Sequence, residues 1–224
     1  MRPTPARLVA SLAVVLLAAC SGSSPRTRNP SQDLAAAKTH LDTTSGVHFT
    51  LTASPLPPTG TWLESAEGDA SPPSSAFSGE AKIHSSSFSA TVKAISVGGV
   101  VYVKQPFGAG FEKVDPASLH LVDPGALLSP DKGISTFLTA DPQARAAGSV
   151  RVGGEVLDRY QATLPQIGVL ATDATSVAAA FDLVPSTHEL RRIVLTGPFF
   201  AKDTQTTVTL TLTDYGKHVD IKAP

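Results

Sequence analysis

The sequence predicts an α+β fold, a single antiparallel sheet with short helices laid on one face. Between Val47 and Leu212 most of the chain alternates apolar and polar residues in short runs separated by turn residues. One central stretch, Val114–Leu138, breaks that rhythm with three successive helix-start signals. Eighteen prolines and 17 glycines also interrupt the chain too often for long helices. With 224 residues there is length enough for one sizeable core.

The first segment reads as targeting rather than folding. Arg2 and Arg7 form a positive start, and Leu8 to Ala18 is an apolar run too short for a comfortable membrane span. It ends Leu17-Ala18-Ala19-Cys20, which resembles a bacterial lipobox. Cys20 is the one cysteine of the chain, so no internal disulfide is available, and a diacylglyceryl group explains an exported thiol better than a free sulfur does. The expected organisation is a lipoprotein signal peptide over 1–19, a polar, disordered tether over 20–30 starting at lipidated Cys20, and one domain over 31–224. The tether, SGSSPRTRNP after the cysteine, holds too little apolar surface to order itself. A helix follows, with Ser31 as its expected cap, Asp33 complementing the N-terminal dipole, and Leu34, Ala37 and Leu41 on one face. Gly46 is its expected stop.

From Val47 the period becomes two. Val47, Phe49 and Leu51 share a strand face until Pro55, and Thr61–Gly68 is the next strand. Phe77–His84 and Phe88–Val97 form a pair, with Phe88, Ala90, Val92 and Ala94 on one side. Gly98-Gly99 is a two-residue hairpin signal leading into VVYVK. The insert then begins. Asp115-Pro116, Asp123-Pro124 and Ser129-Pro130 each place a side-chain acceptor before a proline, the arrangement of a helix start. Ile134, Phe137 and Leu138 give one apolar face over a turn, and Asp141-Pro142 closes the stretch. Such short helices must rest on something apolar, most simply the concave side of the sheet.

After the insert, Gly153-Gly154 joins two strands, and one or two helical turns are expected over 165–172. VAAAFDLVP and HELRRIVLTG pair across Pro185-Ser186-Thr187. Val208, Leu210 and Leu212 then alternate with threonines, Asp214-Tyr215-Gly216 turns, and VDI is expected to return as a strand.

Chemistry is sparse in this pattern. A formal net charge of −1 gives no electrostatic case for nucleic acid. The six histidines are dispersed, without metal-ligand spacing, and no G-x-S-x-G elbow marks a serine nucleophile. The expectation is a chain that is not an enzyme and that uses no metal and no cofactor. Arg191-Arg192 reads as solvated charge rather than as a head-group site.

The run VYVK…F…VDPAS…DP…LLSPDKGI…LT, followed by a G-x-x-x-V-G-G strand and the terminal TVTLTLTDYGKHVDIKAP, resembles the LppX/LprA/LprF/LprG lipoproteins of mycobacteria and related actinobacteria. That resemblance implies a half-barrel sheet with helices on its concave face around a hydrophobic cavity. It further implies a carrier, anchored on the outer face of the plasma membrane, that moves acylated lipids or glycolipids through the cell envelope beside a membrane exporter. Phe49, Leu51, Ala81, Ile83, Val92, Ala94, Ile134, Phe137 and Leu138 are assigned to the cavity, and the resemblance places Ala81 on its wall. Aromatics are only 6% of the chain, which leaves the inward faces low in bulk. The competing reading is a structural or adaptor lipoprotein whose core is filled, because alternating Val, Leu, Ile and Phe ordinarily pack solid.

Overall fold

A computed structural model describes residues 28–119, 123–165 and 176–224. The signal segment, Cys20 and the helical turns expected over 166–172 lie outside the described residues; Pro165 ends a strand. Helix α1 (Pro30–Thr43) leads into strands β1 (Val47–Ser54), β2 (Thr61–Ser71), β3 (Ala76–Ser85), β4 (Ser89–Val97), β5 (Val100–Lys104) and β6 (Glu112–Val114). The insert holds a 3-10 turn (Pro116–Leu119), helix α2 (Pro124–Leu127) and a longer 3-10 segment (Ile134–Thr139). Strands β7 (Arg145–Val152), β8 (Glu155–Pro165), β9 (Ser176–Leu183), β10 (Leu190–Ala201) and β11 (Thr204–Thr213) complete the fold.

The eleven strands of the described residues form one open antiparallel sheet in the order β6-β5-β4-β3-β2-β1-β11-β10-β9-β8-β7. Each arm is built from neighbours in sequence, so local hairpins set almost every register. The exception is the centre, where the first strand meets the last: Phe49 stands opposite Leu212 and Leu51 opposite Leu210. Gly98 and Gly99 take φ of +60° and +73°, and Gly153 and Gly154 take +55° and +89°, the left-handed pairs that two-residue hairpins need. The free edges are blunted. β6 has three residues, and β7 carries a bulge between Ala146 and Ser149 that contains Gly148.

Alternation puts one set of side chains on the helix-covered face. Phe49, Leu51, Ile193, Leu195, Val208, Leu210 and Leu212 are buried there, under Leu34, Ala37 and Leu41 of α1 and Leu127, Leu128, Ile134, Phe137 and Leu138 of the insert. Phe77 packs its ring 5.1 Å from that of Phe49. A side chain on Gly68 or Gly79 would collide with the Phe77 ring, so two facing glycines make the floor on which it lies.

Local details differ from expectation in four places. The cap of α1 is Asn29, whose side chain accepts from Gln32 N at 3.4 Å, with Pro30 as first helical residue; Ser31 is already inside the helix. Asn29-Pro30 is the same Asx-Pro signal as in the insert, and its cap lies two residues before the serine. Gly46 does not end α1, which stops at Thr43 with Thr44 extended. Gly46 is required instead because the Lys217 carbonyl and the Val219 side chain pass against it. After Ser129-Pro130 the chain turns, and the 3-10 segment begins only at Ile134 behind Gly133. VDI at 219–221 forms no strand; the tail lies along the start of β1, with Gly216 N donating to the Gly46 carbonyl and Lys217 to Asp69.

Candidate functional site

Between the sheet and the insert lies an apolar void bounded by Phe49, Leu51, Ile193, Leu195, Val208 and Leu210 below and by Leu127, Leu128 and Ile134 above. Among the described residues no polar side chain enters its wall. Its volume is about 20 Å³, room for one water-sized sphere. At roughly 24 cal/mol per Å³ such a void costs the fold only about 0.5 kcal/mol. The centre of the molecule is thus nearly closed.

The layer above the void is thin and pinned at a few points. Asp123 caps α2, accepting from Gly125 N at 2.9 Å, and the same oxygen accepts from Ser96 Oγ of β4 at 2.5 Å. Gly125 passes so near the Ser75 carbonyl and Ser96 that no side chain fits. On the other flank Lys38 of α1 donates to the Pro130 carbonyl at 3.0 Å and pairs with Asp42. Between these pins the cover consists of a four-residue helix and a six-residue 3-10 segment joined by a turn. Ser135 Oγ is buried in that cover with no hydrogen-bond partner among the described residues, and Asp42 Oδ1 on the neighbouring α1 is unsatisfied as well.

The nine residues assigned from sequence fall into three groups. Phe49, Leu51 and Ile134 line the void. Phe137, Leu138 and Ala94 are buried in the surrounding core without touching it. Ala81, Ile83 and Val92 share the covered face by register, since Ala81 stands beside Ala66 and Val92, but they are half-buried and outside the packed core. With Leu63, Ala66 and Ala90 they form a half-buried apolar trough on the β2–β4 arm, beyond the packed core that the described helices cover, with Leu63 and Ala66 packed against its margin. Reasoning from sequence left out Leu127, Leu128, Ile193, Leu195, Val208 and Leu210. The alternation of β11 showed which of its residues share a face, but nothing local showed that β1 would pair with β11 and bring that face to the void.

Charged side chains are organised away from the void. On the outer face Asp182, fully buried, takes a bidentate pair from Arg159 (2.7 and 2.9 Å) and a further hydrogen bond from Arg192 Nε at 2.7 Å. Arg191 pairs with Glu155 and Glu189. From sequence Arg191 and Arg192 read as solvated charge; the structure engages both in ion pairs instead. At the start of α1, Asp33 accepts from Tyr160 OH at 2.6 Å and from Asn29 N at 3.1 Å, and lies 3.1 Å from His188 Nε2. Burial and the Asp33 hydrogen bond push the Tyr160 phenol well above its ordinary range. Arg28 donates to Asp158 at 2.5 Å and to Ser149 at 2.7 Å, which ties the start of the domain to β7 and β8. Among the described residues no group of three or more His, Cys, Asp or Glu is placed to hold a metal, and no helix is long and apolar enough to cross a membrane.

The sequence profile of the LppX_LprAFG lipoproteins matches residues 29–221. The chain belongs to that family. Its fold is similar to that of LprF from Mycobacterium bovis, with a TM-score of 0.70 at 20% identity over 87% of this chain and 96% of the other. It is also similar to the lipoprotein LppX from Mycobacterium tuberculosis, with a TM-score of 0.61 at 14% identity over 86% and 98%. No curated protein sequence matches the chain. The membership makes this a lipoprotein of the cell envelope, and at these identities the structural likenesses carry the fold alone.

Proposed function

We propose that this lipoprotein is a carrier, held by an acylated Cys20 on the outer face of the plasma membrane, that takes acyl chains of lipids or glycolipids between its sheet and its helical cover. The observation that carries the reading is the wholly apolar seam between β1, β10 and β11 and the insert, continued by the open trough at Ala81, Ile83 and Val92. Residues 1–19 act as signal peptide and 20–27 as tether, shorter than the 20–30 expected because Arg28, Asn29 and Pro30 are already held in the domain, and a membrane exporter is the natural source of cargo. No catalytic step is assigned.

A void of about 20 Å³ is too small for an acyl chain, so the cover must move. Exposing Leu127, Leu128 and Ile134 costs roughly 4.5–9 kcal/mol at about 1.5–3 kcal/mol for each side chain. An acyl chain of ~16 carbons leaving water gains about 13 kcal/mol at roughly 0.8 per methylene, enough to offset that opening. The cover has few pins, short helices and an unsatisfied Ser135 hydroxyl, so it is the layer that gives way. The small void also favours a second reading, a filled-core adaptor lipoprotein that binds nothing.

Native mass spectrometry of the Cys20→Ala chain, which lacks a covalent acyl group, separates the two. The carrier reading expects a noncovalent lipid adduct that organic extraction removes. A chain that stays lipid-free after incubation with membrane lipid extract leaves the adaptor reading standing.

A further inference from the structure

The sheet has one end with large apolar side chains left in water. Phe88, 62% exposed, tips the β3–β4 hairpin, and Phe107, fully exposed, tips the turn after β5 in which Gly108 N donates to the Gln105 carbonyl. Both loops project from the same end because β3, β4 and β5 are consecutive antiparallel neighbours. The β1–β2 connection opens at that end too, with Trp62 stacked 5.1 Å from Phe200. None of the three connections carries a formal charge: residues 49–63, 85–92 and 105–111 contain no Asp, Glu, Lys or Arg. A soluble surface seldom leaves two phenylalanines at adjacent uncharged tips without a use for them. Behind the tips, Lys93 of β4 and Lys104 of β5 stand directly opposite each other, a like-charge pair that costs the sheet stability unless an anion sits nearby. Lys93 has Glu80 only at 4.0 Å.

We propose that this end of the sheet is a membrane-docking rim: Phe88 and Phe107 enter the interface of an anionic bilayer while Lys93 and Lys104 meet its head groups. Apolar tips backed by cations are the chemistry of a peripheral membrane contact. Resting on the carrier reading, the rim also sets the mouth of the Ala81–Ile83 trough against the bilayer, so that an acyl chain need not cross water. The tether permits this. Arg28 is bound at Asp158, seven residues from the end of β8 on the rim side, or about 23 Å. The eight residue steps from Cys20 to Arg28 span up to about 29 Å, enough for anchor and rim to touch one membrane.

The test uses the full lipidated chain reconstituted in vesicles of phosphatidylcholine and phosphatidylglycerol with brominated acyl chains. Phe88→Trp and Phe107→Trp are made separately, and subtracting the unaltered protein isolates each added indole, because Trp62 is the only other tryptophan. Both indoles are expected to shift to the blue and to be quenched at least twofold. An indole that keeps its aqueous emission on these protein-free vesicles, although the chain remains anchored, overturns the rim and leaves a protein partner as its occupant. A second readout separates this from the carrier reading. Phe88→Asp with Phe107→Asp is expected to slow transfer of a fluorescent acyl lipid between vesicles tenfold or more while lipid bound per chain is unchanged, and unchanged transfer overturns the rim. If the unaltered chain binds no lipid, the carrier reading falls, and the indoles alone then decide the rim.

Discussion

Ala81→Trp and Ala94→Trp place the same indole on one sheet face, in two settings. Ala94 is 4% exposed, lies in the packed core, and has Gly79 and Val103 as cross-strand neighbours. An indole there has no free space, and overpacking is expected to cost about 1–3 kcal/mol. For a domain of this size that lowers Tm by roughly 2–4 °C per kcal/mol, so about 2–12 °C. Ala81 is half-buried and outside the packed core, with Ala66 and Val92 beside it. Its indole lies in the open trough, and the lipid-free protein should change by no more than about 0.5 kcal/mol. On the carrier reading the indole also occupies acyl-chain space, so bound lipid should fall while folding does not. The assays are urea unfolding of delipidated protein and lipid quantified per chain. Equal loss of stability in the two variants would mean the trough is ordinary core. Stability and lipid both unchanged in Ala81→Trp would remove Ala81 from the ligand path.

Tyr160→Phe should cost about 1.5–3 kcal/mol in the same unfolding assay, because it deletes a 2.6 Å hydrogen bond to the buried Asp33 carboxylate. Ser96→Ala removes the hydroxyl that holds Asp123, and hydrogen exchange at 125–128 should accelerate well before exchange in β1 or β11; equal protection would show that α2 is not pinned there. The Asp69 carboxyl is pushed up by partial burial, but hydrogen bonds from Lys217 and His48 outweigh this and hold it below its ordinary value. A depressed carboxylate stabilises the fold above its unfolded pKa of about 3.9 and loses that contribution as pH falls through the lower folded value. The tail at 214–224 should therefore loosen below about pH 4 before the sheet does, and Lys217→Met should weaken that pH dependence in exchange measurements. Cys20→Ala should leave the detergent phase in phase separation, and normal partitioning would remove the lipidation reading.

The sequence by itself determined most of the local structure. Period-two alternation marked the strands, paired glycines marked the β4–β5 and β7–β8 hairpins, and the Asx-Pro steps at Asp115 and Asp123 marked helical turns, each an interaction among residues close in the chain. Helix caps were less secure because two residues close in sequence can serve, and Asn29 took the place expected for Ser31. The tertiary structure alone decided which apolar faces meet. Pairing of β1 with β11 joins Leu51 to Leu210 across more than 150 residues of sequence, and no local periodicity encodes that partner. It also decided how far the cover reaches. Phe49 and Ala81 lie on the same face with the same pattern, yet the insert seals one and leaves the other open, because Asp123 and Gly125 pin α2 over Ser75 and Ser96. Whether an apolar face is core or trough depends on what lies above it, and that is settled only when distant parts of the chain come together.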